Sequence, residues 1–291
     1  MAAVYTEITT AFSQKSGTLA TFARRNPTVM VGGTLLMLVS LIAIFAPVLS
    51  GDPMSIAPTE RLTAPSAEHW FGTDALGRDV YARTLYGARI SLVVGVCATA
   101  LSVAVGLTIG LITGYYRRAD SYIMRVMDGM MAIPSILLAI GMIAVTQGGM
   151  AIVVLAITVP EVPRVVRLVR SVVLSTRELA FVEAAVVSGS HDLKIIHRHI
   201  LPSTIAPLIV QGTLILASAL LAESSLSFLG IGVPPEIPTW GNMISAHRLY
   251  LVRAPWSVFF PGAVLTVVVL AVNLLGDGLR DRLDPRLARR I

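Results

Sequence analysis

Long apolar runs without a charged residue dominate this chain and limit how it can fold. The longest are sufficient to cross a hydrocarbon layer roughly 30 Å thick at about 1.5 Å of helix rise per residue. We therefore predict an all-α integral membrane protein with six transmembrane helices. The predicted spans cover residues 28–49, 90–114, 126–146, 148–166, 203–223 and 254–276.

The composition excludes a water-soluble protein. Hydrophobic residues make up 55% and charged residues only 14% of the chain, against about 25% charged in a typical soluble domain. The net charge of +6 comes from basic residues beside the apolar runs, which indicates a lipid bilayer rather than nucleic acid as the partner. The single cysteine, Cys97, excludes an internal disulfide framework and a cysteine-rich metal site.

The distribution of basic residues predicts the orientation. If the N-terminus lies in the cytoplasm and all six spans are accepted, 17 of the 23 Lys and Arg residues fall on the inner side. Removing the weakest span, residues 148–166, reverses that bias. We therefore predict a cytoplasmic tail over residues 1–27, one transmembrane domain over residues 28–286, and a cytoplasmic end at residues 287–291.

The sequence carries no recognisable catalytic machinery. The only lysines are Lys15 and Lys194, and neither follows the glycines of a phosphate-binding loop. Residues 188–192 place serine, histidine and aspartate side by side, but catalytic triads are assembled in space, and a polar corner is favoured here. We predict no enzyme activity, and no catalytic, cofactor-binding or metal-binding residue in this chain.

Two features within the membrane region leave alternatives open. Asp128, Glu161 and Glu223 either have structural or interfacial roles or line a pathway. The glycines at positions 106, 110 and 114 allow the close approach of another helix, in a second subunit or in this chain. Tyr115 and Tyr116 follow at the level expected for lipid head groups.

The inner loop, residues 175–202, is predicted to form two short helices. Ser175 and Glu178 have the spacing of a capping box that starts the first helix, and Gly189 can adopt the left-handed conformation that ends it. Asp192 can cap the second helix, which Pro202 closes. The first helix is too apolar for a solvated loop, so it fits a groove in a partner or lies on the membrane surface.

Within this loop, the residues Glu183-Ala184-Ala185, Gly189 and Leu201-Pro202 resemble the EAA loop of ABC importer permeases. Two further stretches are similar to the C-type subunit of the dipeptide/oligopeptide (peptide/nickel) branch. One is residues 71–92, with Gly72-Thr73-Asp74 and Gly77-Arg78-Asp79. The other combines Ser225–Gly230, Trp240–Met243 and Asn273–Asp281.

The resemblance implies a type I ABC importer permease fold in the inner (cytoplasmic) cell membrane. The implied partners are a homologous B-type permease that completes the pore, two cytoplasmic ATPases that bind ATP and Mg²⁺, and an extracytoplasmic substrate-binding protein. The implied substrate is a di- or oligopeptide, with nickel or another small solute as the alternative. A secondary transporter or channel subunit is the less favoured interpretation, because the chain shows no internal symmetry.

Three sets of site residues follow. Contact with the ATPases is expected at Phe181, Val182, Glu183, Ala184, Ala185, Gly189, Leu201 and Pro202, with Phe181, Val182 and Ala185 filling the groove. Contact with the binding protein or the partner permease is expected at Thr73, Asp74, Gly77, Arg78, Asp79 and Trp240, with a self-contained loop as the alternative. The expected pathway residues, on the fifth span, are Thr213, Ser218, Ser224 and Ser225.

Overall fold

The computed structural model describes residues 26–146 and 149–283. Within these ranges the chain is helical and contains no β-strand, only an isolated bridge between Thr73 and Asp79. The predicted tails therefore lie largely outside the described residues. The helices are α1 (Pro27–Ile44), α2 (Ala46–Leu49), α3 (Val80–Tyr115), α4 (Arg117–Ala132), α5 (Ser135–Thr146), α6 (Met150–Arg177), α7 (Ala180–Val187), α8 (Asp192–Ile195), α9 (Leu201–Phe228), α10 (Trp240–His247) and α11 (Trp256–Leu283).

Four helices of the described chain are long and apolar enough to cross a membrane: α1, α3, α9 with the turns that lead into it, and α11. A fifth span results if α4 and α5 are counted together, although they are bent by 93°. The predicted span over residues 126–146 therefore contains this bend, and it stays a prediction that the segment crosses the membrane. Pro134 lies in the break and cannot donate the backbone hydrogen bond that a continuous helix needs.

Helix α6 covers the predicted span 148–166 from Met150 onward but is not among the apolar candidates, so the total of six spans stays a prediction. Glu161, Arg164, Arg167 and Arg170 all lie within it. Yet many of its residues are buried, because it packs against α3, α9, α4 and α5. Its valines are buried on the α3 side, which explains how a charged helix occupies the centre of the bundle.

The contact between α3 and α6 resolves the alternatives for the spaced glycines. Gly106, Gly110 and Gly114 face Val165, Val169 and Val173, and a Cβ atom built on Gly110 would lie 2.6 Å from the Cβ atom of Val169. The glycines therefore permit packing within this chain. Glycine has the same role where α1 crosses α11, because a Cβ atom on Gly32 would lie 2.5 Å from the carbonyl oxygen of Ala271.

Candidate functional site: the bent helical element between α6 and α9

In the segment expected to contact the ATPases, the first short helix begins later than predicted. Ser175 does not start a helix: it lies inside α6, and its hydroxyl donates to the carbonyl oxygens of Ser171 and Val172 at 3.1 and 3.0 Å. Helix α6 ends at Arg177, and α7 begins at Ala180 after a sharp break, without a side-chain cap at Leu179. The capping-box prediction is wrong because the preceding helix continues through its first position.

The end of α7 confirms the prediction for Gly189, whose φ is +76°. The Ser190 amide donates to the Ala185 carbonyl at 3.1 Å, and the Gly189 amide donates to the Val186 carbonyl at 3.0 Å. These two bonds form the Schellman arrangement that closes a helix through a left-handed residue. The chain consequently turns at a fixed angle from α7 into α8.

The second helix differs from the prediction at both ends. Asp192 is its first residue rather than its cap, and the carboxylate instead accepts hydrogen bonds from the hydroxyls of Tyr115 and Tyr116, at 2.9 and 3.3 Å. Pro202 does not close it, because α8 continues through a π-helical turn at Ile196–Ile200 directly into α9. Proline is tolerated there because it occupies the first turn of α9. From Asp192 to Phe228 the chain is thus one continuous helical rod.

Burial divides the candidate coupling residues into two groups. Val182 is only 2% exposed and packs with Ile195 and Ile200 against the inner valines of α6, with half-buried Ala185 beside it. The prediction that Val182 fills a partner's groove is therefore wrong, whereas that for the half-buried Ala185 stays a prediction. Glu183, Ala184, Gly189 and Pro202 are exposed, and Leu201 is half-buried.

The exposed apolar residues of this element are partly ones that sequence reasoning missed. Phe181 is half exposed, as predicted, but Val187 is 84% and Leu193 is 72% exposed. Val186 lies beside them and is also exposed. The signal in the sequence was the unbroken run of apolar residues at the end of α7, which contains too few polar residues for a solvated helix end. Phe181, Val186, Val187 and Leu193 are exposed apolar residues of this element, and we refer to them together as the exposed apolar surface.

The residues expected to contact the binding protein or the partner permease are mostly internal. Thr73, Asp74 and Trp240 are fully buried, so the prediction that they contact a partner directly is wrong. Asp74 accepts the amides of Leu76 and Arg78 at 2.7 and 2.9 Å, and its carboxylate pairs with the Nε atom of Arg78 at 2.7 Å.

Further contacts hold the same loop to the bundle. The carboxylate of Asp74 lies 3.5 Å from the Nε2 atom of His247 and 3.9 Å from the Nε atom of Arg83. Burial by itself raises the pKa of Asp74, but the contact with His247, the amides and the Arg78 charge outweigh it and hold that pKa well below its ordinary value. Asp79 caps α3, its carboxylate accepting the Tyr81 amide at 2.7 Å. Gly77, also buried, closes the turn with a φ of +77°. This is the self-contained loop left open as the alternative.

The expected pathway residues on α9 do not share one environment. The hydroxyl of Thr213 bonds its own helix at the Val210 carbonyl, 2.8 Å away, and is close to Gly276 of α11. Ser218 reaches the carboxylate of Glu161 on α6 at 3.4 Å. Ser224 and Ser225 line an open cavity of about 390 Å³ near the end of α9.

The three acidic residues whose roles the sequence left open differ in their surroundings. Glu223 is buried and accepts the hydroxyls of Ser91 and Ser227 at 3.1 and 2.8 Å, which is a structural role within the described bundle. Asp128 is exposed and pairs with Arg167 at 2.8 Å, which holds α4 to α6. Glu161 is buried beside Arg164 and Ser218.

Comparison with known proteins agrees with this architecture. Residues 106–289 match the family described as binding-protein-dependent transport system inner membrane component, and residues 23–65 match the N-terminal TM domain of oligopeptide transport permease C. A solved structure of the MetNI methionine ABC transporter shares the fold with a TM-score of 0.56 at 18% identity. The match covers 68% of this chain and 94% of that one.

Relatives of known description match over nearly their whole length. A probable peptide ABC transporter permease protein of Sinorhizobium fredii is 55% identical over 94% of both chains. The dipeptide transport system permease protein DppC of Alkalihalophilus pseudofirmus is 46% identical over 91% of this chain and 88% of its own. The glutathione transport system permease protein GsiD of Pectobacterium atrosepticum is 40% identical, with 91% and 89% covered. The chain is therefore a multi-pass membrane protein that belongs to the inner membrane components of binding-protein-dependent transport systems, within the branch of the peptide ABC importer permeases.

Proposed function

We propose that this chain is the membrane subunit of an ATP-driven importer for di- or oligopeptides and forms half of a heterodimeric pore with a homologous B-type permease. The observation that carries the proposal is the exposed apolar surface, whose residues lie on α7 and α8, between the two long helices α6 and α9. The substrate class is supported by the relatives, which are named for peptide, dipeptide and glutathione transport.

In this proposal α6 is the fourth span in chain order, which brings the total to six and puts both termini in the cytoplasm. The buried valines of α6 and its paired charges are compatible with a span that neighbouring helices shield from lipid. With this orientation α7 and α8 lie on the cytoplasmic side, and the loop of residues 50–79 lies outside. The membrane is the inner cell membrane.

On that side two ABC ATPases bind ATP and Mg²⁺, and this chain receives mechanical force only. Phe181, Val186 and Val187 enter a groove of one ATPase, while Glu183 meets a basic group or backbone donor at its edge. Ala184 keeps the exposed face of α7 narrow. When the ATPases close, α7 moves with the groove, and the buried Val182 transmits the displacement to the inner end of α6.

The same displacement reaches α9 without a flexible joint. Gly189 fixes the angle between α7 and α8, and the helical rod continues through Leu201 and Pro202 into the membrane. A shift at the cytoplasmic end therefore tilts α9 as a whole, which alternates access to the pore.

Outside, the substrate-binding protein or the partner permease contacts the loop of residues 50–79. The buried Thr73, Asp74 and Gly77 with Trp240 give that loop its shape. The half-buried Arg78 and Asp79 and the exposed Trp70 and Leu76 are the groups available for contact.

The test is a charge reversal at α7 in the complete importer, reconstituted with its ATPases and binding protein. Glu183→Lys is expected to abolish peptide uptake while ATP hydrolysis continues, because a lysine at the groove edge meets the basic group that Glu183 contacts. Glu236→Lys is the matched control, since Glu236 is exposed in the loop between α9 and α10, on the opposite side. Full coupled uptake by Glu183→Lys, or uptake by this chain without any ATPase, would contradict the proposal.

A further inference from the structure

A charged pair lies deep within the membrane region of the bundle. An NH1 atom of Arg164 contacts both carboxylate oxygens of Glu161, at 3.0 and 3.1 Å, and Ser218 of α9 approaches the same carboxylate at 3.4 Å. The Glu161 side chain is 9% exposed, whereas the Arg164 side chain is 50% exposed. The cation is thus the member of the pair that faces outward from the described chain.

The depth of this pair follows from its neighbours. Val162 and Val165, on either side of Arg164, lie against Gly106 of α3. Between Arg89 and Arg117, α3 carries no charged residue, and Gly106 is about 25 Å from the first and about 16 Å from the second at 1.5 Å per residue. Arg164 therefore lies within the hydrocarbon layer.

Arg164 also has unused hydrogen-bond donors. The Nε and NH2 atoms find no partner among the residues of the two described ranges, so three N–H groups of the planar fork remain free. Donors exposed to hydrocarbon would each cost several kcal/mol, so this edge of Arg164 does not face lipid.

A polar strip continues from Arg164 toward the inner end of α6. Arg167 pairs with Asp128, and Arg170 pairs with Asp120 through contacts of 2.5 and 2.6 Å, both acidic residues lying on α4. Arg170 is thereby satisfied within the chain, whereas Arg167 uses only its NH2 atom and its side chain is 53% exposed. Arg164 differs from both because it lies farthest from the inner end of α6, beside Gly106.

From this geometry we infer that Arg164 lines the translocation pathway and binds a carboxylate of the peptide in transit, while Glu161 and Ser218 hold the guanidinium in position. The inference rests on the proposed function. The free Nε and NH2 atoms can donate two parallel hydrogen bonds to a carboxylate, an arrangement that lysine cannot reproduce. Glu161, being buried, keeps the guanidinium oriented without competing for that edge.

The experiment measures uptake by the complete importer in proteoliposomes with a dipeptide and with its C-terminal amide, for the wild type, Arg164→Gln, Arg164→Lys and Arg167→Gln. The binding protein is common to all variants and held saturating, so a change in the acid-to-amide ratio reports on the permease. Arg164→Gln is expected to lower uptake of the free acid about tenfold or more and to leave the amide within about twofold. Arg164→Lys is expected to recover only part of that loss. Arg167→Gln, one turn away and already paired, is expected to keep the wild-type ratio.

A third peptide, amidated but carrying a glutamate side chain, distinguishes the C-terminal carboxylate from an acidic side chain as the bound group. A second measurement covers variants that assemble poorly. In a Cys97→Ser background, Arg164→Cys is expected to react with a water-borne thiol reagent and to be protected by peptide during turnover.

The outcomes separate the two proposals. An unchanged acid-to-amide ratio in Arg164→Gln, or an Arg164→Cys variant that stays unreactive in the assembled importer, overturns the role of Arg164 alone and points to a partner-permease contact. A wild-type importer that moves no peptide overturns the proposed function itself.

Discussion

The hydroxyl of Tyr115 donates a hydrogen bond to the carboxylate of Asp192 at 2.9 Å, which connects the last residue of α3 to the first residue of α8. Tyr116 reaches the other carboxylate oxygen at 3.3 Å. Arg177 adds a parallel connection, because its NH1 atom donates to the Gly114 carbonyl at 3.2 Å. The end of α3 therefore braces the bent element.

Removing this brace tests its contribution to coupling. Tyr115→Phe deletes the hydroxyl and keeps the ring, so we expect a loss of about 1 kcal/mol in stability and a lower ratio of peptide imported to ATP hydrolysed. Thermal unfolding and parallel uptake and ATPase assays check both quantities. Tyr122→Phe, at an exposed tyrosine of α4, is the control. Unchanged coupling in Tyr115→Phe would show that α3 does not brace the element.

The environment of Asp74 predicts a pH dependence. Because its pKa is lowered by folding, its ionised form contributes stability above the ordinary carboxyl pKa of 3.8, and that contribution is lost only as the pH falls below this value. Asp74→Asn leaves Arg83 and Arg78 without their buried partner, so we expect a loss of about 3–5 kcal/mol. The difference in unfolding free energy between wild type and Asp74→Asn should stay constant from about pH 8 to about pH 5. Asp52→Asn, in an exposed part of the same loop, is the control, and a difference that shrinks before the lower pH is reached would contradict the prediction.

Much of the architecture can be predicted from the sequence, because a helix that crosses a membrane needs a long run of apolar residues. The uncharged runs in α1, α3, α9 and α11 identify those helices, and Gly189 marks the end of α7 because few other residues adopt its conformation. Helix ends are less accessible, since capping patterns compete with the continuation of an existing helix. Ser175 and Asp192 both carry capping side chains, but α6 runs past the first and two tyrosines engage the second.

The division of α7 into a buried and an exposed face could not be read from the sequence. Every residue of that helix except Glu183 is apolar, so no hydrophobic periodicity distinguishes Val182 from Val187. Contacts with residues farther along the chain determine which face is buried, because Val182 packs with Ile195 and Ile200. The same holds for Arg164, whose exposure depends on where Glu161 and α9 lie.

The close contact between α3 and α6 predicts a strict size limit at Gly110. An alanine there brings its methyl group against Val169, and both backbones must move apart, which we expect to cost about 1–3 kcal/mol. Thermal unfolding of Gly110→Ala measures the loss, and Val169→Ala in the same chain should restore part of it by making room. Gly141→Ala is the control, because nothing lies near a Cβ atom at that glycine of α5. Equal stability of Gly110→Ala and Gly141→Ala would contradict the observed packing.

The left-handed conformation of Gly189 makes the angle between α7 and α8 sensitive to substitution. A Cβ atom at this position meets no neighbouring atom, so the cost of Gly189→Ala comes from its backbone conformation alone, about 1–2 kcal/mol. Part of that strain can be relieved by rotating α7 away from its Schellman end, which would misalign Phe181 and Val187. We therefore expect Gly189→Ala to insert and assemble normally but to import less peptide per ATP. Gly189→Asn should recover most of the coupling, because asparagine tolerates the left-handed region.

Gly129→Ala, at a glycine of α4 without a positive φ and with open space around it, is the matched control. Equal coupling in Gly189→Ala and Gly189→Asn would show that the fixed turn is not required for transmission, and a loss in Gly129→Ala would show that the assay responds to helix propensity instead.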